Sequence, residues 1–378
     1  MRRLRASIPK LALVATLLPA GSFVAPSDAD LVRGDQRHLA FLRIQQVHSV
    51  SQGARVVVAV PDTGVDPHPD LRENLLGGTD VIPGGSGDGR QDRDSHGTSM
   101  AGLIAAHGRP NNRGALGIAP KAEILPILDT PPDGQGDPDA LAAGIEFAVA
   151  RGADVISISA VAGASVRLQQ ALKVAQDANI VVVAAAGSRP TDASVRYPAT
   201  EKGVIAVGGI DRAGRHAAVS VTGPEVDVVA PAVDIYSTSY DGKYSKGTGT
   251  SSATAIVAGA AALIRSKYPY LPAQEVAHRL TATAIDKGPP GRDDEYGYGV
   301  IDLVAALTAD VPPLGFESAS APAGGGPTAT ARAQPGHDDG AAVRGLATLG
   351  VIVAAGVGWA LLVRRRRRGD DPPPRISR

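Results

Sequence analysis

The sequence contains no cysteine, so no disulfide, thiol nucleophile or cysteine-ligated metal contributes to this protein. It also lacks a net charge, with 38 basic and 38 acidic residues. Arginine is concentrated at the two ends, so the body between them is acidic, which argues against nucleic acid as a partner. No internal repeat is present. The chain of 378 residues, 43% of them hydrophobic, is long enough for one sizeable domain with additional segments.

Residues 1–29 have the pattern of a secretory signal peptide. Three arginines within the first five residues form a basic start, residues 11–24 are apolar, and residues 27–29 offer small side chains for cleavage. An uncleaved N-terminal anchor is the alternative, but Pro19 and Gly21 interrupt the apolar stretch. We therefore predict that the protein is exported.

Residues 345–363 are uncharged and predominantly apolar, and Arg364–Arg368 follow at once. Such a stretch is long enough to span a bilayer as a helix, although a buried soluble helix is the alternative. The positive-inside rule places the basic tail, residues 364–378, in the cytoplasm. We therefore predict a single-pass protein of the cell membrane, whose body lies outside the cytoplasm. A flexible Pro/Gly-rich linker, residues 311–344, is predicted to join this body to the membrane helix.

Strand-like and helix-like segments alternate through residues 55–310, after a short and partly helical N-terminal extension at residues 30–54. Several strand-like segments, such as Val181–Ala185, are apolar along their whole length. Strands of this kind are typical of a parallel sheet that is covered by helices on both faces, which predicts an α/β fold. Sites in such folds form at the carboxyl ends of strands, where Asp62 and Ser188 are expected.

Three polar residues stand where a predicted strand ends or a predicted helix begins, namely Asp62, His96 and Ser251. Taken singly, Asp62 fits a turn residue, His96 the start of a helix and Ser251 a helix cap. Taken together, they supply a carboxylate that can orient an imidazole, an imidazole that can accept a proton, and a hydroxyl nucleophile. The combination predicts a catalytic site for acyl transfer.

The sequences around these residues resemble the three motifs of the subtilases. Val58–Val65 resembles the aspartate motif, Ser95–Gly102 the histidine motif and Gly249–Ser251 the serine motif, in the chain order Asp, His, Ser that subtilisin has. The resemblance covers residues 50–308. It implies a subtilisin-like three-layer α/β/α fold with a mainly parallel central sheet. It also implies a serine endopeptidase that acts on protein or peptide substrates without a cofactor.

The sequence departs from the subtilase pattern at positions that face the substrate. Ser188 stands where the family has an asparagine that donates to the oxyanion, so the implied oxyanion hole consists of Ser188 and the backbone N–H of Ser251. A second hypothesis is therefore a subtilase domain of little or no activity that acts as a structural component of a complex. The residues that the resemblance assigns to substrate binding are Ser159, Ala160, Val161 and Gly249.

The segment Asp35–Leu39 is similar to a segment of the mycosins, which are membrane-anchored subtilases of actinobacterial type VII secretion systems. Mycosins also end in one transmembrane helix after a proline-rich linker. This resemblance implies that the substrates are secreted proteins and that the chain associates with membrane components of the secretion system.

No metal site is predicted. Asp62, Asp66 and His68 carry suitable side chains, but their spacing matches no known ligand pattern, so we expect a solvated loop there. Asp92 and Asp94 are expected to be surface or helix-capping charges. The sequence gives no argument for calcium.

Overall fold

The structure, a computed structural model, describes residues 28–131 and 136–315. The predicted membrane helix at residues 345–363 and the predicted basic tail lie outside the described residues, as do most of the predicted linker and residues 1–27 of the predicted signal peptide. Within the described ranges, no helix has both the length and the apolar character needed to cross a membrane.

Eleven strands occur in the described residues, and seven of them form one sheet. The strands are β1 (Val57–Asp62), β2 (Thr79–Asp80), β3 (His107–Arg109), β4 (Arg113–Leu116), β5 (Glu123–Leu128), β6 (Val155–Ile158), β7 (Val181–Ala185), β8 (Ile205–Ile210), β9 (Val228–Pro231), β10 (Ile235–Thr238) and β11 (Tyr244–Gly247).

The central sheet has the order β2-β5-β1-β6-β7-β8-β9, and every neighbouring pair in it is parallel. Two antiparallel hairpins, β3–β4 and β10–β11, stand apart from this sheet. The predicted parallel sheet is thus confirmed. Strand β1 pairs with β5 on one side and with β6 on the other, so the strand order reverses direction at β1. In parallel sheets, ligands bind beyond the carboxyl ends of the strands at such a point.

Nine α-helices occur in the same residues. They are α1 (Asp28–Asp35), α2 (Arg37–Phe41), α3 (Ile44–His48), α4 (His96–Ala105), α5 (Pro138–Ala150), α6 (Val166–Asp177), α7 (Thr250–Lys267), α8 (Ala273–Ala282) and α9 (Leu303–Thr308).

The helices cover both faces of the sheet because successive side chains of each strand point to opposite faces. Val58 and Val60 of β1 join the apolar cluster formed with α4 and α7, whereas Ala59 joins the cluster formed with α5 and α6. Both faces of the central strands are therefore apolar, which gives the three-layer α/β/α arrangement. The helix α7 is buried along almost its whole length and packs against both the sheet and α4.

Candidate active site

Asp62 is the last residue of β1 and His96 is the first residue of α4, so the end of a strand and the start of a helix bring their side chains together. The Nδ1 atom of His96 lies 2.8 Å from Oδ1 and 2.9 Å from Oδ2 of Asp62. The backbone N–H of Thr63 donates to Oδ1 at 2.8 Å. The side chain of Asp62 is 2% exposed and that of His96 35% exposed. The carboxylate is thus fixed inside the protein, while the imidazole keeps a solvent-accessible edge.

Two glycines allow α4 to approach β1 this closely. A Cβ atom at Gly97 would lie 2.1 Å from the carbonyl oxygen of Gly64, which no side chain can tolerate. Gly64 itself has a φ of +90°, in the left-handed region that favours glycine. The histidine motif therefore needs its glycine so that the His96 imidazole can reach the Asp62 carboxylate.

Asp92 supports this arrangement from a buried position, with 5% of its surface exposed. Its carboxylate accepts hydrogen bonds from the hydroxyl of Thr63 at 3.0 Å, from the N–H of Asp94 at 2.9 Å and from the N–H of Ser95 at 3.0 Å. Thr98 donates through both its N–H, at 2.9 Å, and its hydroxyl, at 2.6 Å. The expectation of a helix-capping role fits these contacts, but the expectation of a surface charge was wrong for Asp92.

The Asp62 carboxylate raises the pKa of His96 from 6.5 to about 9, with smaller contributions from Asp94 and Asp92. Desolvation acts in the opposite direction but does not outweigh the attraction. The cationic form of the imidazole is therefore strongly favoured. An imidazole in this environment binds a proton tightly. Its neutral form, which is the form that can act as a base, becomes abundant only at a pH well above 6.5.

Ser251 lies in the first turn of α7, which is preceded by Gly249. The helix-cap interpretation of Ser251 was therefore wrong, because Gly249 occupies the capping position and the hydroxyl of Ser188 accepts from the Thr250 N–H at 3.2 Å. The hydroxyl of Ser159, the residue after β6, donates to the Ser251 carbonyl at 3.3 Å. This bond holds Ser251 at the carboxyl end of β6. Strand β6 is the neighbour of β1, which ends in Asp62.

Three polar groups surround one small space above Gly249. The position that a Cβ atom would take there lies 3.3 Å from Ser251 Oγ, 3.5 Å from Ser188 Oγ and 4.0 Å from the Ser251 backbone N. Gly249 therefore leaves open the space between a hydroxyl that can attack and two groups that can donate hydrogen bonds. Ser188, which follows β7, is itself fixed by an N–H bond of 2.9 Å to the Asp192 carboxylate.

The structure thus brings Asp62 to His96, and Ser251 to Ser188, Ser159 and Gly249. Within residues 28–131 and 136–315, the ring nitrogens of His96 form hydrogen bonds with Asp62, and none joins the ring to Ser251. Catalytic hydrogen bonds are often long in free enzymes and shorten when substrate binds.

Ala160 and Val161 continue the chain beyond β6 and Ser159. Both are partly exposed, and the ladder of β6 with its two neighbours ends before them. An exposed extension of a strand is a surface to which an extended peptide can add by backbone pairing. The predicted substrate-binding residues therefore lie on the same edge as Ser251.

The solvated loop expected around His68 is not what the structure contains, because His68 is 1% exposed and Asp70 is fully buried. The Asp70 carboxylate accepts from Arg109 at 2.6 Å, from the Ala115 N–H at 2.7 Å and from the Tyr244 hydroxyl at 2.8 Å. The described residues contain no group of three side chains suited to a metal ion. This carboxylate is instead satisfied by a cation and two neutral donors.

Asp129 was missed by sequence reasoning, although it follows β5 directly, much as Ser188 follows β7. Its N–H donates to the Asp62 carbonyl at 3.0 Å, and Thr130 Oγ1 donates to its carboxyl group at 2.8 Å. Burial, with a smaller contribution from the nearby Asp62 charge, raises the pKa of Asp129 from 3.8 to about 8. The rule that strand ends carry functional side chains would have singled it out.

Comparisons with known proteins agree with this geometry. Residues 53–299 match the profile of the subtilase family. Subtilisin DY of Bacillus licheniformis is 41% identical over 260 residues, which cover 68% of this chain and 92% of that protein. The crystal structure of MycP1 from Mycobacterium smegmatis is similar with a TM-score of 0.64 and 31% identity, over 78% of this chain and 88% of that one. The MycP3 protease of the type VII (ESX-3) secretion system is similar with a TM-score of 0.61 and 33% identity, over 78% of this chain and 91% of that one.

Proposed function

This chain belongs to the subtilase family of serine proteases and has mycosin proteases among its structural neighbours, and on that premise we propose that it is a membrane-anchored, extracytoplasmic serine endopeptidase. Asp62, His96 and Ser251 form its catalytic triad. The observation that carries the proposal is the hydrogen bond between Asp62 and His96 Nδ1, at the sheet edge where Ser251 lies in the first turn of α7.

The chemistry begins when the Ser251 hydroxyl attacks the carbonyl carbon of the scissile peptide bond. His96 Nε2 accepts the hydroxyl proton and later donates it to the leaving amine, so that an acyl-enzyme remains on Ser251 Oγ. Water then attacks the acyl-enzyme with the same imidazole as base. Asp62 holds the proton of Nδ1, fixes the tautomer that leaves Nε2 free to accept, and stabilises the imidazolium that forms.

Negative charge develops on the carbonyl oxygen as the bond to Ser251 forms. The N–H of Ser251 lies in the first turn of α7, where backbone N–H groups have no partner within the helix and the helix dipole favours an anion. The Ser188 hydroxyl is the second donor. An extended substrate pairs with the edge formed by Ser159, Ala160 and Val161, and Gly249 leaves room for its backbone.

The membrane anchor and the substrates complete the proposal. The signal peptide at residues 1–29 and the membrane helix at residues 345–363 place the protease outside the cytoplasm, tethered by the linker at residues 311–344. MycP1 and MycP3 are proteases of type VII secretion systems, which supports secreted proteins of such a system as substrates and its membrane components as partners.

Covalent labelling with a fluorophosphonate probe tests the catalytic part of the proposal. We expect the purified full-length protein to be labelled and Ser251→Ala to remain unlabelled, because the probe reacts only with an activated serine. Removal of the C-terminal segment at residues 345–378 tests the anchor. Truncation should release the labelled protein from the membrane fraction, and a truncated chain that stays bound would contradict it.

A structural role in the secretion complex is the second candidate, and the replacement of the oxyanion asparagine by Ser188 favours it. A folded wild type that resists labelling would support this alternative and remove the protease proposal. Secretion that survives Ser251→Ala but fails on deletion of the whole protein would show that the structural role exists beside any activity.

A further inference from the structure

A pocket of about 120 Å³ lies where helix α2 of the N-terminal extension covers the carboxyl ends of β8 and β9. Its apolar lining consists of Phe41, Ile210, Pro231, Val233 and Ile235. Phe41 is 45% exposed, so the pocket opens to the surface. The carboxyl ends of the parallel strands meet at one edge of the sheet, and this edge also carries Asp62 and Ser188. The pocket therefore lies on the same edge as the candidate active site.

The chain that lines the pocket is hydrogen-bonded to the segment that leads to the nucleophile. The N–H of Gly249 donates to the Ala232 carbonyl at 2.9 Å, and the N–H of Asp234 donates to Thr248 Oγ1 at 3.0 Å. Thr248 and Gly249 lead directly into α7, whose first turn holds Ser251. The pocket and the nucleophile are therefore parts of one connected piece of structure.

The order of the strands gives the direction in which a bound substrate reaches the pocket. Strands β6, β7, β8 and β9 are consecutive neighbours in the sheet. The substrate segment before the scissile bond pairs with residues 159–161 beyond β6, and the scissile carbonyl faces Ser188 beyond β7, so the segment after the bond continues toward β8 and β9. Two strand spacings of about 4.8 Å separate β7 from β9, and an extended peptide covers about 3.3 Å per residue. Roughly the third or fourth residue after the scissile bond therefore reaches the pocket.

The size and lining of the pocket suit one aliphatic side chain. An apolar cavity of about 150 Å³ holds a benzene molecule, so a pocket of this slightly smaller size accepts a branched aliphatic group. His38 completes the wall, and burial lowers its pKa to about 4, so the imidazole is neutral at neutral pH. The wall therefore adds no charge that would oppose an apolar occupant.

The charged groups around the opening favour an acidic neighbour of that side chain. Asp234 pairs with Arg212 at 3.0 Å and with Lys246 at 3.2 Å, and Asp211 pairs with Arg215 at 2.8 Å. Arg37 also lines the pocket, is exposed, and has no ion pair in the part of the chain that the structure describes. The carboxylates at the opening are thus neutralised, while one cation is left to attract a carboxylate from the substrate.

We propose that this pocket is an exosite for the substrate segment that follows the scissile bond, and that it binds an aliphatic side chain with an acidic residue next to it. Because Phe41 and Arg37 belong to the N-terminal extension, the extension takes part in substrate selection as well as in the fold. This inference rests on the proposed protease function and adds a sequence preference to it.

The test compares a peptide p-nitroanilide, which ends at the scissile bond, with internally quenched peptides that extend beyond it. The quenched peptides share one sequence before the bond and carry Leu-Glu, Gly-Glu or Leu-Lys after it, with the first residue of the pair at the third or at the fourth position. The full-length protein is assayed for kcat and KM with each substrate.

Two variants of the extension change the pocket without touching the catalytic residues. Phe41→Ala removes part of the apolar wall, and Arg37→Glu reverses the charge at the opening. Leu31→Ala, at a 51% exposed position of α1, is the control for the first. Arg72→Glu, at an exposed arginine between β1 and β2, is the control for the second. Each variant is checked for folding by its Tm.

We expect the wild type to cleave the Leu-Glu peptide with a KM about 10-fold lower than that of the Gly-Glu peptide, which is the effect of burying one aliphatic side chain. The kcat should change little, because the contact is equally present in the ground state and the transition state. Phe41→Ala should remove most of this advantage. Arg37→Glu should reverse the preference for Leu-Glu over Leu-Lys, which should be about 3-fold in KM in the wild type. The p-nitroanilide should be hydrolysed within about 2-fold of the wild-type rate by all four variants, because it does not reach the pocket.

Equal KM values of the wild type for the Leu-Glu and Gly-Glu peptides would overturn the inference, as would preferences that survive both Phe41→Ala and Arg37→Glu. If Phe41→Ala does not fold, Arg37→Glu decides, because that side chain is exposed. A wild type that is neither labelled by the fluorophosphonate nor active on the p-nitroanilide removes the proposed function and this inference together. Hydrolysis of the p-nitroanilide without any dependence on the segment after the bond removes only the inference.

Discussion

At the scale of single residues, the pair formed by His96 and Asp62 sets how the active site responds to pH. Their contact raises the pKa of His96 to about 9, so the folded protein binds a proton there that the unfolded chain releases above 6.5. This pair therefore stabilises the fold fully below pH 6.5, and the contribution is lost as the pH rises to about 9. Activity follows the opposite trend, because a general base must be neutral to accept a proton.

The first prediction is that the rate of labelling of Ser251 by the fluorophosphonate probe rises with pH. The apparent pKa of this rise, which reports His96, should lie above 6.5 and at most at about 9. Asp94→Asn should lower that apparent pKa by a fraction of a unit, because it removes a charge that raises the pKa of His96 but keeps an oxygen for the His96 N–H. Asp177→Asn, on the exposed end of α6, is the control. A pH profile that is identical in wild type and Asp94→Asn would contradict the prediction.

The second prediction concerns Ser188→Asn. A carboxamide N–H reaches further into the oxyanion space than a hydroxyl, and removal of such a donor from subtilisin costs roughly 100- to 1,000-fold in kcat. Because Ser188 already supplies part of this stabilisation, we expect Ser188→Asn to raise kcat by up to roughly 10-fold. Hydrolysis of a peptide p-nitroanilide measures the change, and an unchanged or lower kcat would reject our view of this position.

The third prediction concerns the stability of the fold at alkaline pH. Burial raises the pKa of Asp129 from 3.8 to about 8, so the unfolded chain ionises before the folded one, and stability falls as the pH rises through this window. Asp129→Asn cannot ionise and keeps an oxygen that can accept from Thr130. Its Tm should exceed that of wild type by several degrees at pH 9 and by much less at pH 5. A difference in Tm that does not depend on pH would show that another effect is responsible.

At the scale of secondary-structure elements, the approach of α4 to the end of β1 builds half of the site. The helix presents His96, and the hydrogen bonds of Asp92 to Thr63 and Thr98 tie the helix start to the chain beyond β1. The geometry of the catalytic pair is therefore a consequence of how two elements pack, and it is sensitive to any atom placed between them.

The fourth prediction is that Gly97→Ala separates α4 from the chain beyond β1. A Cβ atom at this position would lie 2.1 Å from the Gly64 carbonyl oxygen, which belongs to the backbone and cannot move without the strand end. We expect a loss of roughly 1–3 kcal/mol of unfolding free energy, as in overpacked cores, and a loss of more than about 10-fold in labelling rate. Gly34→Ala is the control, because a Cβ atom there meets nothing within 4 Å. Wild-type values of both quantities for Gly97→Ala would be inconsistent with this packing.

At the scale of the whole molecule, the N-terminal extension is part of the folded body. Helix α1 packs on β4 and on the β10–β11 hairpin, and α3 packs on α9. Gln36, which is 2% exposed, fastens the extension. Its side chain donates to the Leu116 carbonyl at 3.0 Å and to the Tyr236 carbonyl at 3.2 Å, and it accepts from the Leu116 N–H at 2.8 Å.

The fifth prediction is that Gln36→Ala lowers the unfolding free energy by about 2 kcal/mol, because it removes three hydrogen bonds from partly buried backbone groups of Leu116 and Tyr236. Chemical denaturation measures this loss, and Gln45→Ala, on the exposed side of the extension, provides the control. The labelling rate of folded Gln36→Ala should equal that of wild type. A stability unchanged by Gln36→Ala would mean that the extension is not fastened through this side chain.

Local pattern was enough to predict the sheet, the main helices and the position of the candidate residues. The apolar run at residues 56–60 ends at Val60, whereas β1 continues through Asp62, because the ladder with β5 extends to Leu128. The short strand β9 and the helix α9 were not predicted, because segments of four to six residues carry little periodicity. His68 was expected in a solvated loop, and its burial follows from packing against Tyr244, far away in the sequence.

The sequence by itself determined the family, the parallel α/β fold and the identity of the candidate triad, because these depend on residue types in short motifs and on hydrophobic periodicity. Only the tertiary structure decided which groups act on one another. The bond between Asp62 and His96, the burial of Asp129 and the hydrogen bonds between Thr250 and Ser188 all join separate elements. Electrostatic and hydrogen-bond energies depend on distance and burial, and these quantities are set when strands and helices pack together.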